Sequence, residues 1–327
     1  MAVRVSAGSR IHIALADMGF ASPRAFGGIG FMLDKIAADV ELRCAPVVSL
    51  ERASNLDEPC QSELTALLET LAEAGKRPAQ AIIHSHAIQH IGLGTKTALK
   101  LAVISAYHHL FELPGGRAEQ QILSGRGGAS GIGIHGFFQG GVLWDAGRPA
   151  EEIDHLLPSG ARPATSTPVL MLRLRFPTSW KVGLCLPKAE LSHGPEEQRF
   201  FEENSPIAPG DALETMALLY HGILPAFRLE NLKLLASSLA SISCKGFKRL
   251  EIERCGENVV ELLGDLHAKG YAAGMSSMGP LVYVIFAASD TRAAAELRSL
   301  CAAHNAHWLG CHSGLNRGAR ASRDEFA

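Results

Sequence analysis

The placement of glycine constrains this chain more than any other feature. In "GRGGASGIGIHG", within the glycine-rich run 124–141, glycines stand at 125, 127, 128, 131, 133 and 136, with Arg126, Ser130 and His135 between them. Each glycine loses more backbone freedom on folding than any other residue, so a run this dense marks sharp turning or close approach. An arginine inside it suits a phosphate contact; a tight helix–strand junction is the other reading. A second loop, "GLGTKTALK", has Gly92 and Gly94 just before a helix. Free backbone amides, the positive helix end, the hydroxyls of Thr95 and Thr97 and the charge of Lys96 all favour an anion there. In a third, "GMSSMGP", Ser276 and Ser277 can donate to phosphate or hydroxyl oxygens, or merely close a turn. Together the three loops point to a phosphoryl or pyrophosphate ligand.

Periodicity supplies the frame around them. "VELRC" sets Val40, Leu42 and Cys44 against Glu41 and Arg43, the period of a half-buried strand. Residues 61–74 read as a helix and "AQAIIHSHA" as a strand. Leu99, Val103, Ala106 and Leu110 form one helical stripe, with Thr95 or Thr97 as its cap and Pro114 beyond its end. The polar, proline-rich stretch 150–168 is the candidate boundary, dividing the chain into 1–165 and 166–327. Beyond it come a strand in "VLMLRLRFP", helices near 211–224, 229–243 and 257–269, a strand after "GMSSMGP", and a helix over 290–304. Strands and helices without strict alternation predict an α+β fold in both halves.

At 327 residues the chain is long enough for two domains. A formal charge of -2 and no basic run set nucleic-acid binding aside. Neither a secretory signal nor a membrane-spanning run is expected. Seven scattered cysteines fit reduced thiols in a cytoplasm. The cluster Cys301, His304, His307, Cys311 and His312 lacks the Cys-x-x-Cys pairing of a zinc site. His84, His86 and His90 lie beside the second loop, where core or edge positions and ligand contact are both open.

The glycine-rich loop resembles that of the GHMP kinase superfamily, although Thr95-Lys96 stands in place of the usual Ser-Ser. One branch matches more closely. "SRIHIALADM", "GGIGFMLD", "GLGTKTALKLA", "SGRGGASGIGIHGF", "SSMGPLVYVI" and "NRGA" resemble, in order, the β-ribofuranosylaminobenzene 5'-phosphate synthase family, over nearly the whole chain. The resemblance implies a GHMP architecture, with an N-terminal domain like ribosomal protein S5 domain 2 and a ferredoxin-like C-terminal domain. The active site would lie between them in a cytoplasmic homodimer. It implies a transferase of tetrahydromethanopterin biosynthesis that joins 5-phosphoribosyl 1-diphosphate to 4-aminobenzoate or 4-hydroxybenzoate, releasing carbon dioxide and pyrophosphate. An ATP-dependent small-molecule kinase of the same superfamily, or a ligand-binding regulator that has lost its chemistry, are the alternatives.

On that reading Mg²⁺ accompanies the pyrophosphate, held largely by substrate oxygens. Lys96 and Arg126 grip the leaving group. Asp17 in "ALADM" and Asp145 in "LWDAG" either face the metal or end a strand. Arg10 and His12 share a strand face and can meet the aromatic acid together; a surface arginine and a satisfied histidine are the plainer reading. His135 is a candidate for proton handling.

Overall fold

The computed structural model describes residues 1–161, 166–189, 191 and 194–324. The chain opens with two long antiparallel strands, β1 (Ala2–Asp17) and β2 (Arg24–Cys44), paired along most of their length with bulges around Gly8 and between His12 and Ala14. After β3 (Ser49–Glu51) come α1 (Glu58–Gly75), β4 (Ala79–His86) and α2 (Thr95–Phe111). Then follow α3 (Arg117–Leu123), α4 (Ile132–Gln139), β5 (Val142–Asp145), the short β6 (Arg148–Pro149) and β7 (Leu170–Leu174). The length of β2 lets it serve two partners. Its C-terminal half pairs with β4 over Ala38–Cys44, and its N-terminal half with β5 over Gly28–Phe31. Helix α2 is buried almost all round, between this sheet and α1.

The second sheet is built from β8 (Trp180–Pro187), β9 (Ala272–Met275), β10 (Val282–Ala287) and β11 (Ala306–His312). Between β8 and β9 run α5 (Pro195–Asn204), α6 (Pro209–Ala217), α7 (Leu224–Arg228), α8 (Leu232–Ser243), α9 (Gly246–Arg254) and α10 (Glu257–Ala268); α11 (Ala293–Ala303) joins β10 to β11. The order β11-β8-β10-β9, antiparallel throughout, is ferredoxin-like. The chain then returns to the first sheet, where β12 (Arg320–Asp324) pairs with β1 from Ala2↔Asp324 to Ser6↔Arg320.

Several sequence expectations change. The strand taken to open the second half, β7, hydrogen-bonds to β5 of the first sheet. The helix expected over 211–224 is broken by a wide π turn at Leu218–Ile223. Pro225 follows it, and proline has no N–H for a regular helical bond four residues back. Neither Thr95 nor Thr97 caps α2. Gly94 does so in the left-handed region, and no side chain bonds to the end.

The halves share a core. The Phe31 ring on β2 lies 5.1 Å from Phe176, 5.6 Å from Tyr283 on β10 and 6.0 Å from Phe227 on α7, between ring centroids. Aromatic side chains of this size dominate burial energetics, so the seam between the sheets is a core and no loose hinge. Among the described residues no helix is long and apolar enough to cross a membrane.

Candidate active site

A cleft of about 600 Å³ opens over the N-terminus of α2, within the range of small-molecule sites. Its floor is the glycine loop. Gly92 has φ +103°, and a Cβ there would stand 2.2 Å from the Ser276 carbonyl oxygen, so only glycine lets the two loops meet. Gly94, at φ +73°, lies against the Arg10 side chain, whose Cβ and Nε would be 3.2 and 3.3 Å from an added Cβ. The first α2 bond runs from the Ala98 amide to the Gly94 carbonyl, 3.1 Å. The amides before it have no intrahelical acceptor and no capping side chain.

Three cations line this floor. Lys96 is ion-paired with Glu63 of α1, which also takes Lys100 at 2.9 Å. Burial alone would raise the Glu63 carboxyl, but the hydrogen bonds from the two lysines bring it below its ordinary value. Arg126 donates from Nε to the Thr97 hydroxyl and from Nη1 to the Ser159 carbonyl, each at 3.2 Å. Arg10 differs from both. Its Nε and Nη1 are buried and have no hydrogen-bond partner among the described residues. Burial first, and the charge of Arg126 second, push its guanidinium down to about 10. Two crowded guanidinium groups in one wall call for an anion.

His12, two residues along β1, continues the same face into the cleft. Both its ring nitrogens are buried without a hydrogen-bond partner among the described residues. Burial, then the charges of Arg10 and Lys248, hold its pKa well below the usual value, so the ring is neutral. Its backbone is pinned from the other half: the His12 amide donates to Ser276 Oγ at 3.0 Å, and the Ser277 amide donates to the His12 carbonyl at 3.0 Å. Ser276 Oγ in turn donates to the Gly92 carbonyl at 2.7 Å. This clasp ties β1, the glycine loop and the β9–β10 turn at one point.

The structure brings Arg10, His12, Gly92, Gly94, Thr95, Lys96, Thr97, Arg126, Ser130 and Ser277 to one cleft. It corrects other expectations. Ser276 is fully buried inside the clasp and does not line the cleft. Asp145 is fully buried outside the cleft and accepts from the Gly131 and Gly147 amides, each at 3.0 Å, and from Ser130 Oγ at 3.2 Å. It therefore already occupies the N-terminus of α4, and burial pushes its carboxyl up to about 7. Asp17 lies outside the cleft lining; its Oδ1 closes its own turn, accepting from Gly19 and Ala21 at 3.0 and 3.1 Å, while its buried Oδ2 has no partner among the described residues. His135 is held between Gln121 and the Pro168 carbonyl, and burial lowers its pKa. His84 is paired with Glu41 at 2.7 Å. His90, in contrast, lines the cleft with its Nε2 2.6 Å from Asp57 Oδ2. No group of three or more metal-ligating side chains occurs among the described residues.

Sequence reasoning missed the carboxylates of the cleft: Asp57, Glu63, Glu197 on α5 and Glu251 on α9. Glu197 has no hydrogen bond or ion pair among the described residues, and burial raises its carboxyl against the pull of Arg126. Glu251 is buried and ion-paired with the equally buried Lys248. Only a Lys–Glu pair three apart in "GFKRLEIER" signals it, and that spacing alone reads as a surface pair.

No family model matches the chain. Curated relatives do. It is 32% identical over 299 residues to a β-ribofuranosylphenol 5'-phosphate synthase of Archaeoglobus fulgidus, covering 91% of both chains. A protein of the same name from Methanothermobacter thermautotrophicus is 29% identical over 291 residues, 85% of this chain and 86% of that one. Among solved structures, homoserine kinase from Cytophaga hutchinsonii superposes with a TM-score of 0.71 at 13% identity, over 98% of this chain and 97% of that one. That likeness shows the fold alone, and the fold is the GHMP-kinase one. With its identity to the archaeal synthases running almost end to end, the chain belongs to the β-ribofuranosylphenol 5'-phosphate synthase family.

Proposed function

We propose that the chain is a pentosyltransferase that joins the ribosyl carbon of 5-phosphoribosyl 1-diphosphate to the ring of a 4-substituted benzoate, in tetrahydromethanopterin biosynthesis. The names of the relatives specify a ribosylphenol product, which favours 4-hydroxybenzoate over 4-aminobenzoate as the acceptor. The observation that carries the reading is the Arg10 guanidinium against Gly94, whose Nε and Nη1 have no hydrogen-bond partner among the described residues, beside an uncapped helix N-terminus. Buried guanidinium nitrogens without a hydrogen-bond partner are costly, and an entering diphosphate or carboxylate relieves that cost. The cytoplasmic homodimer implied by the resemblance belongs to the same reading.

The electron bookkeeping assigns the roles. The ribosyl C1–O bond breaks and its pair leaves on pyrophosphate. A π pair from the ring carbon bearing the carboxylate forms the new carbon–carbon bond. The bond to the carboxylate then returns its pair to the ring as carbon dioxide departs. Fixed donors where charge gathers on pyrophosphate supply most of the catalysis: the α2 amides, Lys96 and Arg126. The attacking carbon carries the carboxylate, so carboxylate and pyrophosphate both lie near C1, and Arg10 can face both. His12 lies about 6.6 Å further along the strand, two residues at strand rise. There it can hydrogen-bond the para hydroxyl without adding a positive charge beside the ring.

The donor set fits Mg²⁺ delivered by the diphosphate. Glu197 is a half-buried cleft carboxylate without a partner among the described residues, and a hard cation needs few protein ligands beyond phosphate oxygens. When bound, the ion would neutralise charge on the leaving group. The test is purified protein with 5-phosphoribosyl 1-diphosphate, Mg²⁺ and carboxyl-labelled 4-hydroxybenzoate. Labelled carbon dioxide and pyrophosphate should appear in equal amounts. No label released from either 4-hydroxybenzoate or 4-aminobenzoate sinks the reading.

A further inference from the structure

Departure of pyrophosphate leaves positive charge on the ribosyl carbon, and nothing assigned so far answers it. Four carboxylates line the cleft. Two are open to solvent, with side chains 31% and 39% exposed: Asp57, paired with His90, and Glu63, shared by Lys96 and Lys100. Glu197 is half-buried and fits the metal. Glu251 is different in kind. Its side chain and that of Lys248 are each 2% exposed, and the two are ion-paired one turn apart on α9. Lys248 Nζ also donates to the carbonyls of Met275 and Ser277, at 3.4 and 3.5 Å. The cation is thus locked to the turn that clasps His12 and Gly92, and it fixes the carboxylate in the cleft wall. Glu251 lines the same cleft as Arg10, and the charges of Glu197 and Glu251 both bear on that guanidinium.

A buried ion pair is a poor way to stabilise a fold, because desolvating two charges offsets most of their attraction, and well-packed apolar residues often do as well. Its position in the wall of the cleft argues for another role. We propose that Glu251 is the catalytic carboxylate that faces the oxocarbenium-like ribosyl carbon, with Lys248 as the positioning residue that keeps it oriented. The inference rests on the synthase reading and adds a residue to it. In a water-poor wall a fixed negative charge acts where positive charge develops in the transition state and is little felt by the ground state.

The experiment compares wild type, Glu251→Gln and the double variant Lys248→Met/Glu251→Gln. The single variant strands a buried lysine, so the double variant decides; it carries no unpaired charge. Expected are a native-like melting transition, pyrophosphate affinity within about threefold of wild type, and turnover reduced about 100-fold or more. The KM for 5-phosphoribosyl 1-diphosphate should change far less than kcat. A protonated imino-ribitol 5-phosphate, which carries the cation permanently, should lose affinity for the double variant. Turnover and imino-ribitol affinity near wild type in a folded double variant overturn the assignment and leave the synthase reading intact. A wild type that releases no carbon dioxide overturns both.

Discussion

His12 cannot gain a proton where it stands. It is buried between Arg10 and Lys248, and its pKa lies well below the ordinary 6.5. In the unfolded chain it titrates normally, so below about pH 6.5 the unfolded state binds a proton that the folded state refuses. Stability therefore falls as pH drops through that value and continues to fall towards the depressed folded one. His108, His135, His267 and His312 are shifted in the same direction and add to the slope. Urea unfolding at a series of pH values should show His12→Gln losing about one proton's worth of slope, roughly 1.4 kcal/mol per pH unit. An unchanged slope would mean that His12 titrates freely. Arg10 and His12 could be paired from sequence because a strand repeats every two residues. Asp17, Asp145 and His135 could not be excluded. Asp145 and His135 are occupied by backbone groups, some far along the chain like the Pro168 carbonyl, and by the Ser130 and Gln121 side chains; Asp17 spends only Oδ1 on its own turn.

At the scale of elements, the join between the glycine loop and the β9–β10 turn should be brittle. Gly92→Ala places a Cβ 2.2 Å from the Ser276 carbonyl and forces φ +103° on an L-residue. Backbone strain alone should cost about 1–3 kcal/mol, and the clash adds to it. Thermal unfolding should show a clear drop in Tm, and pyrophosphate affinity should fall with it as the α2 amides shift. A Tm within a degree of wild type would mean that the loop relaxes freely. The glycines of this loop were legible because their spacing and the following helix advertise an anion site. The glycines of 124–141 were only half legible. Gly133 and Gly136 lie inside α4, where Gly136 makes room for Met32, so much of that run serves helix packing. Helix α9 escaped notice because Lys248 and Glu251 are buried on it, which erases the polar-outside pattern that marks a helix.

Over the whole molecule, the α+β class and the ferredoxin-like half followed from element order and resemblance, but the seam did not. A proline-rich stretch at 150–168 looks like a linker, yet β7 beyond it and β12 at the far end both belong to the first sheet. Strand pairing across such separations leaves no local trace in a sequence. The shared aromatic core predicts that the halves unfold together. Ending the chain after Gly318 removes β12 and uncovers the outer edge of β1 at Val3 and Val5, both buried. The urea midpoint should fall with a single transition kept, because β1 also carries Arg10 and His12. Two separate transitions would instead show that the halves fold independently.

The pairing of Ala2 with Asp324 also sets an order of events during synthesis. Strand β1 is made long before β12, its outer neighbour, so the first sheet stands incomplete on the ribosome while the ferredoxin-like half emerges and folds. Slowing translation ahead of β1 should therefore matter little to yield. Any delay between β11 and β12 would prolong the time that an open β edge is exposed to other chains.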